Sequence, residues 1–261
     1  MKRISSPDNQ VIKLARSLHH KKYRDQKQLF LVEGRRSVQE ALASPKLVHM
    51  LFIQEDGAEE YADLQDIDCY ILDEKMLKQI SATETQQGMA AILRKPGWSL
   101  PVLLQTERFL VLLDRVADPG NLGSMIRSCW ALGVDGLLLT AGCVDPYSPK
   151  VVRSTMGGIL HLPVFEGIAE GDLDLLQAQG YQFIATGFEN AQNYYDIDMN
   201  GAKLLILGSE ADGINTALKS RCSQVSKIPI NPTVDSLNVA AACAIITAEA
   251  WRQRYGRLGQ R

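Results

Sequence analysis

The sequence predicts an α/β protein that is organised as two domains. Short apolar runs of strand length alternate with segments whose apolar residues recur at helical spacing, as in a sheet covered by helices. In the C-terminal part these runs are continuously apolar, which is typical of a parallel sheet buried on both faces. The segment "RKPGWSLPVLLQ" (94–105) contains two prolines and a glycine and separates the two regions. We therefore expect domains at 1–95 and 106–261, joined by a linker at 96–105.

The first region is predicted to be a small α/β unit. The segment "NQVIKLARSLHHKKYR" (9–24) is predicted to be helical, because its apolar residues recur at helical spacing at Val11, Leu14, Ala15 and Leu18. A second, shorter helix is predicted at "RRSVQEALAS" (35–44). Strands are predicted at "LFLVEG" (29–34), "VHMLFI" (48–53) and "CYILD" (69–73).

The second region alternates more regularly and ends in a long helix. Strands are predicted at 109–114, 136–140, 181–187, 204–208 and 227–230. The last helix carries one apolar stripe, formed by Val239, Cys243, Ile246 and Ala250. Its other alanines lack bulk, so we expect neighbouring backbone to approach this helix closely.

Composition narrows the class of protein. The chain has 261 residues, 46% of them hydrophobic and 22% charged, as in globular proteins. Its first residues, "MKRISSPDNQ", have no apolar core of the kind a signal peptide needs, and no run reaches membrane-spanning length. The five cysteines form no C-x-x-C pair and the four histidines show no ligand spacing, which disfavours a metal site or disulfide framework. We expect a reducing, cytoplasmic location, with Cys129 and Cys243 as small buried apolar residues.

Charge is unevenly distributed along the chain. Residues 1–36 carry ten Lys and Arg against three Asp and Glu, whereas residues 37–95 carry five against eleven. A basic arm on a mildly acidic protein suggests local contact with a polyanion. An ordinary charge-rich, solvated helix face would produce the same pattern, so charge alone does not decide between the two.

Three glycine- or proline-marked loops stand where chemistry is expected. They follow predicted strands in "LLDRVADPGNLGSMIRS" (112–128), "LILGSEADGI" (205–214) and "IPINPTVDSLNVAAACAI" (228–245). Ligands of parallel α/β sheets collect outside the carboxyl ends of strands, so the three loops predict one pocket for a small ligand. Backbone groups near Gly208, Gly213, Pro229 and Pro232 would contact that ligand. One such loop alone would be a routine turn.

The loops do not match the usual nucleotide or hydrolase motifs. "GNLGSM" (120–125) gives G-x-x-G, not the G-x-G-x-x-G of a dinucleotide fold. The chain contains no G-x-x-x-x-G-K-[ST] and no G-x-S-x-G. Nucleotide hydrolysis, Rossmann redox chemistry and triad chemistry are therefore disfavoured.

The three blocks resemble the three motifs of the SpoU (TrmH) family of RNA ribose 2'-O-methyltransferases, within the SPOUT superfamily. The matching residues are Asn121, Gly123 and Arg127 in the first motif, Gly208, Ser209, Glu210 and Gly213 in the second, and Ile228, Pro229, Ser236, Leu237, Asn238 and Val239 in the third. The segment 144–164 and the N-terminal region are also similar to the family, so the resemblance spans nearly the whole chain. Ala211 and Ala240 depart from the motifs, which usually have glycine and serine there.

The resemblance implies a fold, a cofactor and partners. It implies a C-terminal parallel-sheet α/β domain with a deep trefoil knot, and a small L30e-like N-terminal α/β domain that binds the RNA substrate. It further implies S-adenosylmethionine as cofactor, no metal, and a homodimer whose active site lies near the interface. The cofactor-binding residues it implies are Leu207, Gly208, Ile228, Pro229, Leu237 and Asn238. The basic residues expected to contact RNA phosphates are Lys13, Arg16, Lys21, Lys22 and Arg24.

The implied catalytic residues are Arg127, Asn121, Glu210, Ser236 and Asn238. A guanidinium stays protonated in proteins, so Arg127 is expected to bind the adjacent phosphate and stabilise the developing alkoxide instead of acting as a base. A structural salt bridge on a helix surface is its alternative role. Asn121 would cap the first-motif helix or bond the ribose, and Glu210 would orient Arg127 or a backbone amide. Ser236 would cap the last helix, and Asn238 would contact the target nucleotide.

The function expected from the resemblance is methylation of a ribose 2'-hydroxyl in structured RNA. Ribosomal RNA of the 23S type is the expected substrate, because the rRNA-type members share this N-terminal domain. A tRNA ribose methyltransferase and a non-catalytic RNA-binding or ribosome-associated protein are the alternatives. A base methyltransferase from elsewhere in the superfamily is disfavoured by the Asn-x-Gly…Arg first motif.

Overall fold

The computed structural model describes residues 1–61, 63–64, 66–82, 88–104 and 108–256. The elements of residues 1–97 are β1 (Lys2–Arg3), α1 (Gln10–Ser17), α2 (Lys21–Lys27), β2 (Leu29–Glu33), α3 (Arg35–Leu42), β3 (Val48–Gln54), β4 (Asp68–Leu72), α4 (Glu74–Ile80) and β5 (Met89–Arg94). Those of the remaining residues are α5 (Leu100–Leu103), β6 (Phe109–Asp114), α6 (Pro119–Ala131), β7 (Gly136–Thr140), α7 (Pro149–Ser154), β8 (Val164–Ile168), α8 (Glu170–Ala178), β9 (Gln182–Thr186), β10 (Gln192–Asn193), β11 (Lys203–Gly208), α9 (Thr216–Ser220), β12 (Gln224–Lys227) and α10 (Val239–Tyr255).

The first unit contains Met1–Gly97 together with Asp145–Leu160. Its sheet has the order β1-β4-β3-β5-β2, in which β5 pairs antiparallel with both β2 and β3. Strand β5 was not among the predicted strands, although its apolar run "MAAIL" is a signal for one. Helices α1 and α4 pack together over a core that includes Ile12, Phe52 and Leu72.

The predicted N-terminal helix is wrong in its extent. It is two helices, because α1 ends at Ser17 and α2 begins only at Lys21. The predicted apolar face is largely confirmed: Ala15 and Leu18 are fully buried, and Val11 and Leu14 are partly buried and pack against the core. Ile12, which the prediction left out, is fully buried beside them.

Residues 145–160 differ from the expected assignment of 106–261 to one domain. They group with the first unit, where Arg24 and Asp145 form an ion pair whose side chains are 4% and 7% exposed. The ring of Tyr147 lies 5.0 Å from that of Phe30, and Val151 is fully buried. Apolar burial and a buried ion pair therefore hold this segment in the first unit.

The second unit contains Trp98–Val144 and the residues from His161 onward. Its seven-stranded sheet has the order β10-β12-β9-β11-β6-β7-β8, and the pairings are parallel throughout, as the apolar runs predicted. The sequence did not reveal β8 or β10, and α5 occupies part of the predicted linker.

Two further expectations for the second unit can be compared with the structure. The last predicted strand, at 227–230, is wrong: β12 ends at Lys227, and Pro229 cannot donate to a sheet ladder. The predicted stripe of α10 is confirmed, since Val239, Cys243, Ile246 and Ala250 are all buried, and Thr247 joins them. Within the part of the chain that the structure describes, no helix is long and apolar enough to span a membrane.

Candidate functional site

The carboxyl ends of β6 and β11 lie side by side and position two of the three loops. Gly208 at the end of β11 is paired in register with Asp114 at the end of β6. After Gly208 the chain turns tightly, and the Gly213 amide donates to the Ser209 carbonyl at 3.0 Å. A Cβ on Gly208 would lie 2.1 Å from the Gly213 carbonyl carbon, so only glycine allows this turn to close.

A cavity of about 290 Å³ opens beside this turn. Four of the expected cofactor-binding residues line it: Leu207, Gly208, Ile228 and Leu237. Pro229 and Asn238 are not among the described residues that line it. The remaining wall includes residues that the sequence did not indicate as ligand-binding, namely Thr186, Gly187, Phe188, Ile214, Ser226, Lys227, Ile230, Ala242 and Ile246. Mostly aliphatic walls with a few polar groups are typical of a small-molecule site.

The donor set of the cavity fits a nucleoside cofactor such as S-adenosylmethionine. Gly208, Gly213 and Ile228 lie in a wall that combines aliphatic side chains with polar ones, among them Ser209, Lys227 and Ser236. Ser226 also lines the cavity, and its buried hydroxyl has no hydrogen-bond partner among the described residues. An unsatisfied hydroxyl facing a cavity is a place for a ligand's polar atom.

Three motif residues form one hydrogen-bonded network at the rim of the cavity. Glu210, which itself lines the cavity, accepts through Oε1 from Asn121 Nδ2 at 3.2 Å and from Asn238 Nδ2 at 2.9 Å. Asn238 Nδ2 also donates to Asn121 Oδ1 at 2.9 Å. The carboxylate further lies 3.4 Å from the Val239 amide at the start of α10, where negative charge is favourable. From the sequence we expected Glu210 to orient either Arg127 or a backbone amide. In the structure it contacts the backbone amide of Val239.

The caps of the two helices differ from the expected ones. Asp118 is the N-cap of α6 and accepts from the Asn121 amide at 2.7 Å, so Asn121 lies inside the first turn and is not the cap. Asn238, and not Ser236, caps α10 by accepting from the Ala240 and Ala241 amides. Asp118 directly precedes Pro119, the first residue of α6, and this pattern could have identified Asp118 as the N-cap. Gly123, the glycine of the first motif, is a buried residue within α6 and lies beyond the turn that precedes the helix.

Arg127 lies apart from this network. It is six residues beyond Asn121 on α6, about 9 Å along the helix axis. Its side chain is exposed and has no hydrogen-bond or ion-pair partner among the described residues. The alternative role of a structural salt bridge is therefore not supported. Ser236 is exposed and lines the cavity.

The buried carboxylate of Asp114, which was not among the predicted site residues, stabilises the second loop. Asp114 is 3% exposed and accepts from Thr140 Oγ1 at 3.0 Å and from the Asn215 amide at 2.8 Å. Arg115 has a left-handed backbone, with a φ of 56°, and its guanidinium donates to the Gly213 carbonyl at 3.2 Å. A non-glycine residue at positive φ costs energy, so it marks a constrained position next to the loop that carries Glu210.

The expected RNA-contacting residues fall into two groups. Lys13, Arg16, Lys21 and Lys22 are exposed on α1 and α2, with Lys13 paired to Asp8 and Lys21 to Asp25. Arg24 contradicts the expectation, because it is 3% exposed and its guanidinium donates to Asp145 and to the Leu18 carbonyl. A charge satisfied inside the protein is not available to a phosphate.

The cysteines behave as expected for buried apolar residues. The sulfurs of Cys129 on α6 and Cys243 on α10 are 3.8 Å apart, and both residues are fully buried. The hydrogen bond with Cys243 and burial raise the pKa of Cys129 well above its ordinary value, which keeps the thiol protonated. No group of His, Cys, Asp or Glu that could hold a metal ion occurs within the described ranges.

Comparison with known proteins identifies similar proteins over nearly the whole chain. Residues 108–248 match the model of the SpoU rRNA Methylase family, and residues 9–91 match the MRM3-like substrate binding domain. The chain is 36% identical over 247 residues to a Bacillus subtilis protein named 23S rRNA (guanosine(2553)-2'-O)-methyltransferase RlmP, covering 94% of this chain and 98% of that protein.

Two solved structures share the architecture. The AdoMet-bound rRNA methyltransferase of Sinorhizobium meliloti is 30% identical with a TM-score of 0.86, over 97% of this chain and 98% of that one. The SpoU methyltransferase AviRb of Streptomyces viridochromogenes, in complex with AdoMet, is 28% identical with a TM-score of 0.86, over 97% of this chain and 100% of that one.

Proposed function

The chain belongs to the SpoU rRNA methylase family, and from that premise we propose that it transfers a methyl group from S-adenosylmethionine to a ribose 2'-hydroxyl of 23S-type ribosomal RNA. The observation that carries the proposal is the position of Glu210. This carboxylate lines the cavity and at the same time binds the motif residues Asn121 and Asn238. Glu210 thus connects the cavity, which would hold the cofactor, with the polar rim, which would bind the RNA substrate.

The cavity is the proposed cofactor site. Leu207, Gly208, Ile228 and Leu237 would hold S-adenosylmethionine, with Pro229 and Asn238 at the edge of the site. The cofactor supplies an electrophilic methyl group on a sulfonium sulfur. The solved relatives from Sinorhizobium meliloti and Streptomyces viridochromogenes are described as AdoMet-bound, which supports the same cofactor here.

The rim residues are proposed to position the ribose and to handle its proton. Alignment of the reacting oxygen can contribute about 7–11 kcal/mol to a reaction of this kind. The amides of Asn121 and Asn238 are fixed by Glu210 Oε1, whereas Glu210 Oε2 has no partner among the described residues and is an acceptor for a hydroxyl proton. The Ser236 hydroxyl, also on the cavity wall, is a further group for the ribose.

Arg127 is proposed to bind the phosphate next to the target ribose and to stabilise the alkoxide that develops there. Its unpaired, exposed guanidinium is available for a bidentate contact with phosphate, and a guanidinium keeps its proton, so it does not act as the base.

Replacing Arg127 by lysine should lower the single-turnover rate of methyl transfer by about 10²-fold, in the range found for lost transition-state donors. A lysine keeps the charge but not the planar fork. The affinity for S-adenosylmethionine, measured by calorimetry, should not change. Arg252→Lys is the matched control, because Arg252 is exposed on α10 and paired with Glu249. Wild-type turnover in Arg127→Lys would exclude an orienting role.

Ribosomal RNA is the proposed substrate, and the exposed cations of α1 and α2 are proposed to contact it. The name of the Bacillus subtilis relative includes 23S rRNA, and residues 9–91 match a substrate binding domain. Lys13, Arg16, Lys21 and Lys22 would bind phosphates without reading sequence, so their contribution should weaken as salt rises.

The finer features of the family are proposed for this chain as well. A deep trefoil knot in the second unit and an L30e-like fold in the first are supported by the three motifs and by the two matched domains. A homodimer is supported by α10, whose exposed side carries the apolar residues Ala241, Ala248 and Trp251 next to Arg252, while its other side is buried in the core. We propose a cytoplasmic location.

The substrate is tested by incubating the protein with methyl-labelled S-adenosylmethionine and separate pools of unmodified rRNA and tRNA. Label in the 23S rRNA pool is the expected result. Label confined to tRNA would instead identify a tRNA methyltransferase. Saturable RNA binding without any transfer would identify a non-catalytic RNA-binding protein, and either outcome would contradict the proposal.

A further inference from the structure

Ser226 on β12 is a buried polar residue whose hydroxyl the fold leaves without a partner. The residue is 1% exposed, and Oγ has no hydrogen-bond partner among the described residues. Its backbone is accounted for, since β12 pairs with β9 at Thr186 and the Ser226 carbonyl accepts from the Gly187 amide at 3.0 Å. Only the side chain is unsatisfied, and it lies on the wall of the cofactor cavity.

The neighbouring groups of the cavity do not supply the missing partner. The closest hydroxyl in the sheet register, Thr186 Oγ1, donates to the Ile206 carbonyl at 3.1 Å. Many of the other residues that line the cavity are aliphatic, including Leu207 and Ile246. A buried hydroxyl without a partner destabilises a fold, so its presence beside a cavity indicates a ligand atom that completes it.

We propose that the Ser226 hydroxyl hydrogen-bonds the adenine ring of S-adenosylmethionine. This inference rests on the cofactor assignment made above. The Ser226 hydroxyl is neutral and fully buried, and burying the charged amino, carboxylate or sulfonium groups beside it would cost far more than burying a neutral ring. Adenine presents both ring-nitrogen acceptors and an amino donor, and a serine hydroxyl can pair with either.

The test compares Ser226→Ala with Ser148→Ala. Ser148 also has a buried hydroxyl without a partner, but it lies in the first unit and is not part of the cavity wall. For each variant, calorimetry gives the Kd for S-adenosylmethionine and for 5'-methylthioadenosine, and thermal unfolding gives the Tm without ligand. Ser226→Ala should raise both Kd values by about threefold to tenfold, the effect of one hydrogen bond. Its Tm without ligand should equal or exceed that of the wild type, and Ser148→Ala should leave both Kd values unchanged.

The outcomes separate this inference from the proposed function. Unchanged Kd values in Ser226→Ala would overturn the contact with the cofactor. Weaker binding of S-adenosylmethionine with unchanged binding of 5'-methylthioadenosine would overturn the assignment to the adenosine portion. A Tm several degrees below the wild type would show that the hydroxyl has a structural partner within the protein. If the wild type bound no S-adenosylmethionine, the proposed function itself would fail, and this inference with it.

Discussion

Gly208→Ala is expected to weaken the binding of S-adenosylmethionine severely. An added Cβ would lie 2.1 Å from the Gly213 carbonyl carbon, 2.3 Å from its oxygen and 2.3 Å from the Ile214 nitrogen. All three atoms belong to the backbone, so no side-chain rotation can relieve the clash. The loop from Ser209 to Gly213 must move, and with it the wall of the cavity and Glu210. We expect the Kd to rise at least about 100-fold, equivalent to about 2.7 kcal/mol.

Gly171→Ala is the matched control for that substitution. Gly171 lies in the first turn of α8 in the same unit, and nothing lies within 4 Å of an added Cβ. Alanine there should stabilise the fold by about 0.5–1 kcal/mol, because glycine is the poorer helix former. Calorimetry and thermal unfolding of both variants provide the comparison. Cofactor affinity in Gly208→Ala equal to that in Gly171→Ala would contradict the loop geometry described above.

Arg24→Ala is expected to destabilise the first unit by about 3–5 kcal/mol, the cost of leaving one half of a buried ion pair. Arg24 Nε donates to Asp145 Oδ2 at 2.9 Å, and Nη1 donates to the Leu18 carbonyl at 2.6 Å. Removing the guanidinium leaves the Asp145 carboxylate, 7% exposed, without its counter-charge. The segment 145–160 should lose its attachment at this point, since Asp145 is its first residue.

Urea unfolding followed by two signals can assign this loss to the correct unit. All three tryptophans, Trp98, Trp130 and Trp251, lie in the second unit, so their fluorescence reports that unit. Circular dichroism reports both units. The variant should show a circular-dichroism transition at lower urea that precedes the fluorescence transition. Arg16→Ala, an exposed change on α1, should stay within about 0.5 kcal/mol of the wild type. Equal midpoints for the two variants would show that the ion pair is not important for stability.

The structural features that depend on local sequence pattern could be predicted from the sequence. The apolar runs at 109–114 and 136–140 are strands with those bounds, because continuous apolar segments of that length suit a buried parallel sheet. The stripe of α10 was predictable for the same reason. The motif spacing also identified Asn121, Glu210 and Asn238, which the fold brings within hydrogen-bonding distance although 89 and 28 residues separate Glu210 from the two asparagines.

What the sequence did not reveal depends on contacts between distant residues. Nothing near Arg24 distinguishes it from Lys21 or Lys22, and only the fold places Asp145, 121 residues away, against it. The helix caps were misassigned because Asp118, Asn121, Ser236 and Asn238 are all residue types that cap helices, and the backbone decides which one does. Ser226 carries no motif, and its unsatisfied hydroxyl is visible only when the cavity around it is known.

The central claim is tested most directly by locating the transferred methyl group on the RNA. The protein is incubated with unmodified 23S rRNA and methyl-labelled S-adenosylmethionine, and the RNA is then hydrolysed with alkali and digested to nucleosides. Ribose 2'-O-methylation blocks alkaline cleavage at the modified nucleotide. We therefore expect the label in a single alkali-resistant dinucleotide after the alkali step, and in a 2'-O-methylnucleoside after digestion of that dinucleotide. Label on a base, released by alkali as a mononucleotide, would contradict it.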